Sequence, residues 1–126
     1  MKYLLIVILC LPFLKLNAQD SNLNNEPDSV TKTGMATYYH RKFEGRKTSS
    51  GVKYRSGNLT AAHRTLPFGT KVLVTNPLNG KSVIVKINDR GPFIKRFVID
   101  LSESAARKIG IFSKGVAKVQ LSYAVE

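Results

Sequence analysis

Apolar and polar residues alternate most cleanly over 82–88. Val83, Val85 and Ile87 share one parity there, while Ser82, Lys86 and Asn88 fall on the other. A period of two puts such residues on opposite faces of a strand. The first parity continues to Asp89, so the pattern predicts an acidic side chain at the mouth of a core lined by those three residues. Segments 34–39, 59–63, 71–76, 97–101 and 117–124 also read as strands, the last with Val119, Leu121 and Tyr123 on one face. Pro77-Leu78-Asn79-Gly80 divides 71–76 from 82–88, and Asn79-Gly80 is a strong hairpin-turn signal. One helix is predicted after 97–101. Ser102 caps it, Glu103 suits its first turn, Ala105, Ala106, Arg107 and Lys108 favour it, and Gly110 ends it. Segment 46–57 is polar, basic and punctuated by glycine, so it reads as a surface loop. Six short strands and one short helix predict a mainly β domain built as a small barrel.

The N-terminus carries a different signal. Lys2, an apolar run over 3–14 and Asn17-Ala18-Gln19 make a secretory signal peptide over 1–18, with a run too short to span a bilayer. Export to the periplasm or cell envelope is therefore expected. Cys10 lies inside this run, preceded by Leu9 where a lipoprotein signal wants a small residue, so lipoprotein anchoring is not expected. The processed chain would hold no cysteine, hence no disulfide and no thiolate chemistry. Segment 19–33 is rich in Asn, Ser and Asp and reads as a disordered leader. The folded domain is then 34–126, expected as a monomer.

That domain carries nearly all of a formal net charge of +12, and its only carboxylates are Glu44, Asp89, Asp100, Glu103 and Glu126. Such a surface attracts polyanions. For an exported chain these are acidic envelope polymers or anionic head groups, giving a peripheral envelope association. Nucleic acid is not expected, because the aromatic residues are not interleaved with the basic loops as stacking platforms. The plainer alternative is that the charge only keeps the domain soluble.

Two side chains stand out chemically. A carboxyl held against apolar surface tends to a raised pKa and can then act as an acid, which would suit Asp89. Equally, an aspartate before a turn caps backbone amides, here those of Arg90-Gly91. His63 shares the parity of Leu59 and Ala61, ends an inward row, and titrates near neutrality. Its plainer reading is a histidine that hydrogen-bonds a neighbouring loop. Asp100 has the parity of Val98, opposite to Phe97, Ile99 and Leu101, and reads as a structural tie between loops. Glu44 and Glu103 read as solvated charges. His40 and His63 are far apart, so neither a metal site nor a cofactor is expected. No phosphate loop, dinucleotide fingerprint or nucleophile elbow is present.

Five blocks carry a resemblance together: Gly34-Met35-Ala36-Thr37-Tyr38-Tyr39; Gly45-Arg46-Lys47-Thr48-Ser49-Ser50-Gly51; 59–70 around Ala61-Ala62-His63-Arg64; Val85 to Phe93 with Asn88-Asp89-Arg90-Gly91-Pro92; and Ile99-Asp100-Leu101-Ser102. In order and spacing this series resembles the rare lipoprotein A (RlpA) family of septal-ring lytic transglycosylases over 34–123. The resemblance implies a six-stranded double-psi β-barrel, as in expansins and barwin-like domains. It also implies endolytic, non-hydrolytic cleavage of peptidoglycan between N-acetylmuramic acid (MurNAc) and N-acetylglucosamine (GlcNAc), preferring strands stripped of stem peptides and leaving 1,6-anhydro ends. One carboxyl would serve as acid and then base, unlike the two-carboxylate scheme of ordinary glycosidases. On this resemblance Asp89 is the catalytic aspartate and His63 orients or tunes it. Tyr38, Thr48, Arg64, Asn88 and Arg90, which lie in the matching blocks, are expected to bind substrate, with Asp100 and Gly91 structural.

Two departures accompany it. Relatives usually carry a glutamate where this chain has Val52, which favours a rival reading, a glycan-binding barrel without catalysis, unless Glu44 leans in as a substitute. Many relatives also carry a C-terminal SPOR domain that binds denuded glycan. This chain ends after the last strand and is expected to lack one, leaving the basic segment 41–55 to meet the lactyl carboxylate of peptide-free muramic acid.

Overall fold

A computed structural model describes residues 28–125. The signal peptide read over 1–18, Cys10 and the leader up to residue 27 lie outside the described residues. The order of elements is β1 (Ser29–Tyr38), a 3-10 turn (Arg41–Phe43), β2 (Thr60–Ala62), β3 (Lys71–Thr75), β4 (Ser82–Asp89), β5 (Phe97–Leu101), α1 (Glu103–Lys108) and β6 (Ala117–Ala124). The strands close into a barrel in the order β1-β5-β2-β4-β3-β6. The β1–β5 and β2–β4 pairs are parallel and the remaining pairs antiparallel. The expected six-stranded, mainly β barrel with one short helix is thus the observed fold.

The alternation that predicted β4 is the alternation that builds the core. Val83, Val85 and Ile87 are buried between exposed Ser82, Ile84 and Lys86. They meet Val72 and Val74 of β3, Ile99 and Leu101 of β5, and Val119 and Leu121 of β6. Each such side chain contributes about 1.5–3 kcal/mol on burial, and a closed barrel leaves no open edge to protect. The hairpin turn also forms where expected. Gly80 takes φ 75°, and Asn76 and Asn79 both donate through Nδ2 to the Ile109 carbonyl, at 2.9 and 3.2 Å. Helix α1 starts as its sequence prescribes, with Ser102 Oγ accepting from Ala105 N–H at 3.2 Å and Arg107 donating to Glu103 at 2.9 Å.

Three boundaries differ from the sequence reading. β1 starts at Ser29, so 29–33, expected as leader, is strand and pairs with β6 from Ser29↔Ala124 onward. Its side chains are mostly exposed, and backbone pairing rather than an apolar row holds it. β2 is short, which leaves His63 beyond its end. The 46–57 loop is anchored rather than merely superficial. Lys47 and Lys53 form a bridge, and Tyr54 is buried with its ring stacked 4.3 Å from that of Tyr39.

The β1–β5 contact also explains a glycine. A Cβ added at Gly34 would stand 2.4 Å from Val98 Cγ1. Valine is short and stiff at χ1, so it cannot swing clear. Gly34→Ala should therefore cost about 1–3 kcal/mol in denaturant unfolding, and Val98→Ala in the same chain should recover most of that loss. An unchanged midpoint for Gly34→Ala would refute the close approach.

Candidate active site

The functional face is created by a register shift. Ala61 pairs with Ile87, but the next residue, Ala62, pairs with Asp89, so Asn88 is the extra residue on β4. One extra residue turns the side chains that follow to the other face of the sheet. Asp89 therefore leaves the row of Val83, Val85 and Ile87 and joins the face that carries Ala62. On the far side of β2, Ala62 pairs with Asp100, which in turn pairs with Thr37 of β1. Both aspartates, Thr37 and Tyr39 line one cleft of about 500 Å³ beneath the 90–97 loop.

The two carboxyls are held very differently. Asp89 accepts three hydrogen bonds: Oδ1 from Ser49 N–H at 2.8 Å and Arg90 N–H at 2.9 Å, and Oδ2 from the Tyr39 hydroxyl at 2.5 Å. Burial pushes its pKa up, but these donors favour the charged form and together hold it below the usual aspartate value. That corrects the expectation of a raised Asp89. The capping of Arg90, an alternative reading of this residue, is present alongside the two other donors. Among the described residues Asp100 has a single donor, Thr37 Oγ1 at 3.1 Å on Oδ1. Burial, and to a lesser degree the Asp89 charge, push its pKa up to about 6 against that one bond. Asp100 thus ties strand β5 to strand β1, where a tie between loops was expected, and it also faces the cleft, which the sequence reading missed. Environments that drive two neighbouring pKa values apart separate an acid from a base.

Tyr39 was also missed. Its ring is packed on Tyr54 and edge-on to Phe43, 6.0 Å away. Burial, then the bond to Asp89, push its hydroxyl far above its ordinary range, so it stays a neutral donor. The signal available in the sequence was the aromatic pair Tyr38-Tyr39 at a strand end. The two rings take opposite roles. Tyr38, expected to bind substrate, donates to the Phe112 carbonyl at 2.7 Å and stacks on the Phe112 ring at 4.8 Å, away from the cleft.

His63 is not among the residues that line the cleft. Its Nδ1 accepts from Thr65 and Leu66 N–H, both at 3.1 Å, and its ring lies 6.5 Å from that of Tyr123. Burial first, then Arg64, Arg90 and Lys32, lower its pKa. Those two bonds to Nδ1 assign its proton to Nε2. Its link to Asp89 runs through the backbone, where His63 N–H donates to the Asp89 carbonyl at 3.1 Å. This is the loop-bonding histidine of the plainer reading, and it orients the Asp89 segment without touching the carboxylate.

The other expected binding residues divide. Thr48 lines the cleft, with Oγ1 donating to the Val52 carbonyl at 2.6 Å. Arg90 also lines it, but its guanidinium donates to the His63 and Leu66 carbonyls at 3.1 and 2.8 Å and covers the Phe68 ring at 4.1 Å. Arg64 donates to the Pro92 and Phe97 carbonyls at 2.7 and 2.8 Å and so braces the rim loop. Asn88 lines a separate groove with Val52, Lys53 and Lys86. Gly91 takes φ 130° where the chain leaves Asp89 for the rim. Glu44 does not lean in: its carboxylate accepts from Ser56 N–H at 2.8 Å and from Arg55 at 3.4 Å. Among the described residues, no three His, Cys, Asp or Glu side chains gather where a metal ion could sit.

The family profile described as lytic transglycolase matches residues 31–121. The chain belongs to this family. It is 54% identical over 97 residues to the endolytic peptidoglycan transglycosylase RlpA of Haemophilus influenzae, covering 77% of this chain and 34% of that protein. It is 59% identical over 90 residues to the probable endolytic peptidoglycan transglycosylase RlpA of Synechocystis, covering 71% of this chain and 28% of that one. The lytic transglycolase domain seen here therefore spans about a third of the length of these curated relatives. Among solved structures, a Clavibacter michiganensis expansin aligns with a TM-score of 0.62 at 23% identity, over 77% of this chain and 52% of that one. The Streptomyces papain inhibitor aligns with a TM-score of 0.62 at 24% identity, over 76% and 96%. These two likenesses establish the double-psi barrel fold.

Removing the Tyr39 hydroxyl tests the wiring of Asp89. Tyr39→Phe keeps the stacked ring and deletes one of three donors, so the Asp89 pKa should rise. The ionised carboxylate stabilises the fold above its unfolded pKa, and that contribution is lost as pH falls through the folded pKa. In Tyr39→Phe the folded pKa moves up toward the unfolded one, so the acid loss should be smaller and complete at higher pH, and stability at neutral pH should drop by about 1.5–3 kcal/mol. Carboxyl carbon NMR titration combined with urea unfolding reads both, and an unmoved Asp89 midpoint would show that the bond does not act on its charge.

Proposed function

We propose that this domain is an endolytic peptidoglycan lytic transglycosylase. It breaks the bond between MurNAc and GlcNAc and closes a 1,6-anhydro ring on the muramic residue. The observation that carries this reading is the placement of two carboxyls of opposite protonation tendency in one cleft. The family and the printed names of its relatives support it. Within the cleft, Asp89 supplies the ionised carboxylate. Three fixed donors aim it and keep it deprotonated, so it can take the proton of the muramic C6 hydroxyl as that oxygen attacks C1. Thr48 and the peptide groups of the Arg90 segment line the site, and Arg64, Arg90 and His63 hold the loops around it.

Substrate chemistry follows from the cleft walls. Arg46 and Lys47 line it and supply positive potential for the lactyl carboxylate of peptide-free muramic acid. Phe93, 83% exposed, and Ile94, 60% exposed, stand on the rim and offer apolar surface to sugar ring faces. The domain acts in the cell envelope as a monomer, exported by the segment read as a signal peptide. Val52 is 59% exposed and lines the neighbouring groove. Its aliphatic side chain therefore does not subtract a carboxyl from the cleft, which weakens the case for a barrel that only binds glycan.

Digestion of purified peptide-free glycan strands, read by mass spectrometry for 1,6-anhydro ends, tests the reading. The wild-type domain should release such ends, and Asp89→Asn should lower the rate by about 10²–10⁴-fold. No anhydro ends from wild type, under conditions where a related enzyme works, would refute it.

A further inference from the structure

An ionised Asp89 leaves the leaving-group oxygen without a proton source, and the cleft holds a second carboxyl. Ala62 has Asp89 as its partner on one side and Asp100 on the other. Two strand spacings put the backbones of the two aspartates about 10 Å apart. The residue between them is buried against the Tyr39 and Tyr54 rings, and both carboxyls border the one cleft that Tyr39 and Tyr54 also line. A sugar linkage seated in that cleft would meet both carboxyls.

We infer that Asp100 is the general acid of this cleft, giving its proton to the bridging glycosidic oxygen while Asp89 accepts the proton of the muramic C6 hydroxyl. The inference rests on the glycan-cleaving reading above and divides between two residues the work assigned there to the cleft. The C1–O bond breaks and its electron pair stays with the departing oxygen. With the Asp100 proton, that oxygen becomes the 4-hydroxyl of GlcNAc. The C6 oxygen forms the new bond to C1, and its proton passes to Asp89. No water is consumed. The cycle closes when the proton on Asp89 returns to Asp100 through solvent.

The contacts of Asp100 suit an acid. Thr37 Oγ1 donates to Oδ1 and fixes the plane of the carboxyl. Among the described residues no donor reaches Oδ2, which leaves that oxygen to carry the proton. The polar and charged groups that line the cleft with this carboxyl come from several elements. They include Thr37 and Tyr39 from β1 and its end, Asp89 from β4, Arg46, Lys47 and Tyr54 from the 46–57 loop, and Arg90 from the rim. None of the three cations forms an ion pair with Asp100. Burial and the Asp89 charge then hold its pKa at about 6, while Asp89 stays low. The acid form of Asp100 is lost as pH rises through about 6. The base form of Asp89 is lost only as pH falls through its depressed value.

The test uses wild type, Asp100→Asn and Asp89→Asn on two substrates. One is peptide-free glycan strands. The other is a GlcNAc–MurNAc disaccharide bearing a nitrophenyl leaving group, which departs without a proton. Asp100→Asn should lose about 10²–10⁴-fold on strands and recover most of that loss on the nitrophenyl substrate, whereas Asp89→Asn should lose on both. Thr37→Val removes the one bond that lowers the Asp100 pKa, so the alkaline limb of the rate profile should move up. A carboxyl carbon titration of Asp100 in the wild type should show a midpoint near 6 and needs no turnover. Equal losses on both substrates, an unmoved limb in a folded Thr37→Val, or an Asp100 midpoint at the ordinary aspartate value would each overturn the inference. A wild type with no activity on either substrate would instead sink the glycan-cleaving reading itself, and this assignment with it.

Discussion

Everything at the cleft depends on one irregular step in the pairing of β2 with β4. Up to Ile87 the strand follows its period, and its inward residues fill the barrel. With one more regular step, Asp89 would continue that row and end against apolar side chains. The extra residue, Asn88, turns it outward instead, onto the face shared by Ala62, Asp100 and Thr37. A shift of one residue exchanges the two faces of a strand completely, so the core and the cleft can lie back to back on the same short strands. Both alanines of β2 are buried, Ala61 in the barrel core and Ala62 against the Tyr39 and Tyr54 rings, and neither is large enough to intrude on what its neighbours build.

Given that placement, the number of donors decides the chemistry. Two aspartates share one recess, and desolvation raises both. Three hydrogen bonds overturn that tendency at Asp89, and one fails to overturn it at Asp100. The donors to Asp89 come from separate parts of the chain: a residue just past β1, the 46–57 loop, and the residue that follows Asp89 itself. Its ionisation is thus a property of the assembled fold. It also links the anchoring of Tyr54 under Tyr39 to the state of a carboxylate that Tyr54 does not touch.

Much of this was legible in the sequence, and the parts that were not share a cause. The barrel strands with apolar alternation, the Asn79-Gly80 turn and the Ser102-capped helix followed from periodicity and local propensity, because one buried face leaves a mark on every second residue. The first half of β1 left no such mark, since its hydrogen bonds to β6 are made by backbone alone. The parity argument for His63 failed because β2 ends before it, and the parity argument for Asp89 put its side chain on the wrong face. Bulges and strand ends do not show in an alternation pattern until the partner strand is known. Asp100 was placed correctly opposite Ile99 and Leu101, but the outward side of β5 proved to be a recess, because the 46–57 and 90–97 loops fold over it. A sequence pattern distinguishes inside from outside; it does not distinguish solvent from a covered cleft.

The arginines show what that covering requires. Arg64 and Arg90 sit in blocks that invite a substrate-binding reading, yet both guanidinium groups are spent on carbonyl oxygens of neighbouring loops. A planar fork of donors is well suited to this, since it can satisfy several carbonyls at once where a loop has no regular ladder. Bracing of this kind fixes the 90–97 rim, with its exposed Phe93 and Ile94, at a set height over the carboxyls. Catalysis by positioned charges gains from such rigidity because the groups need not reorganise as the reaction proceeds. The field for an acidic polymer can then come from cations not committed to the frame. Arg46 and Lys47 border the cleft, and Lys53 and Lys86 border the adjacent groove, so positive charge runs from one recess to the next. The high net charge and the two carboxyls are therefore complementary: the first draws polyanions toward the barrel, and the second sit within that field at the floor of the cleft.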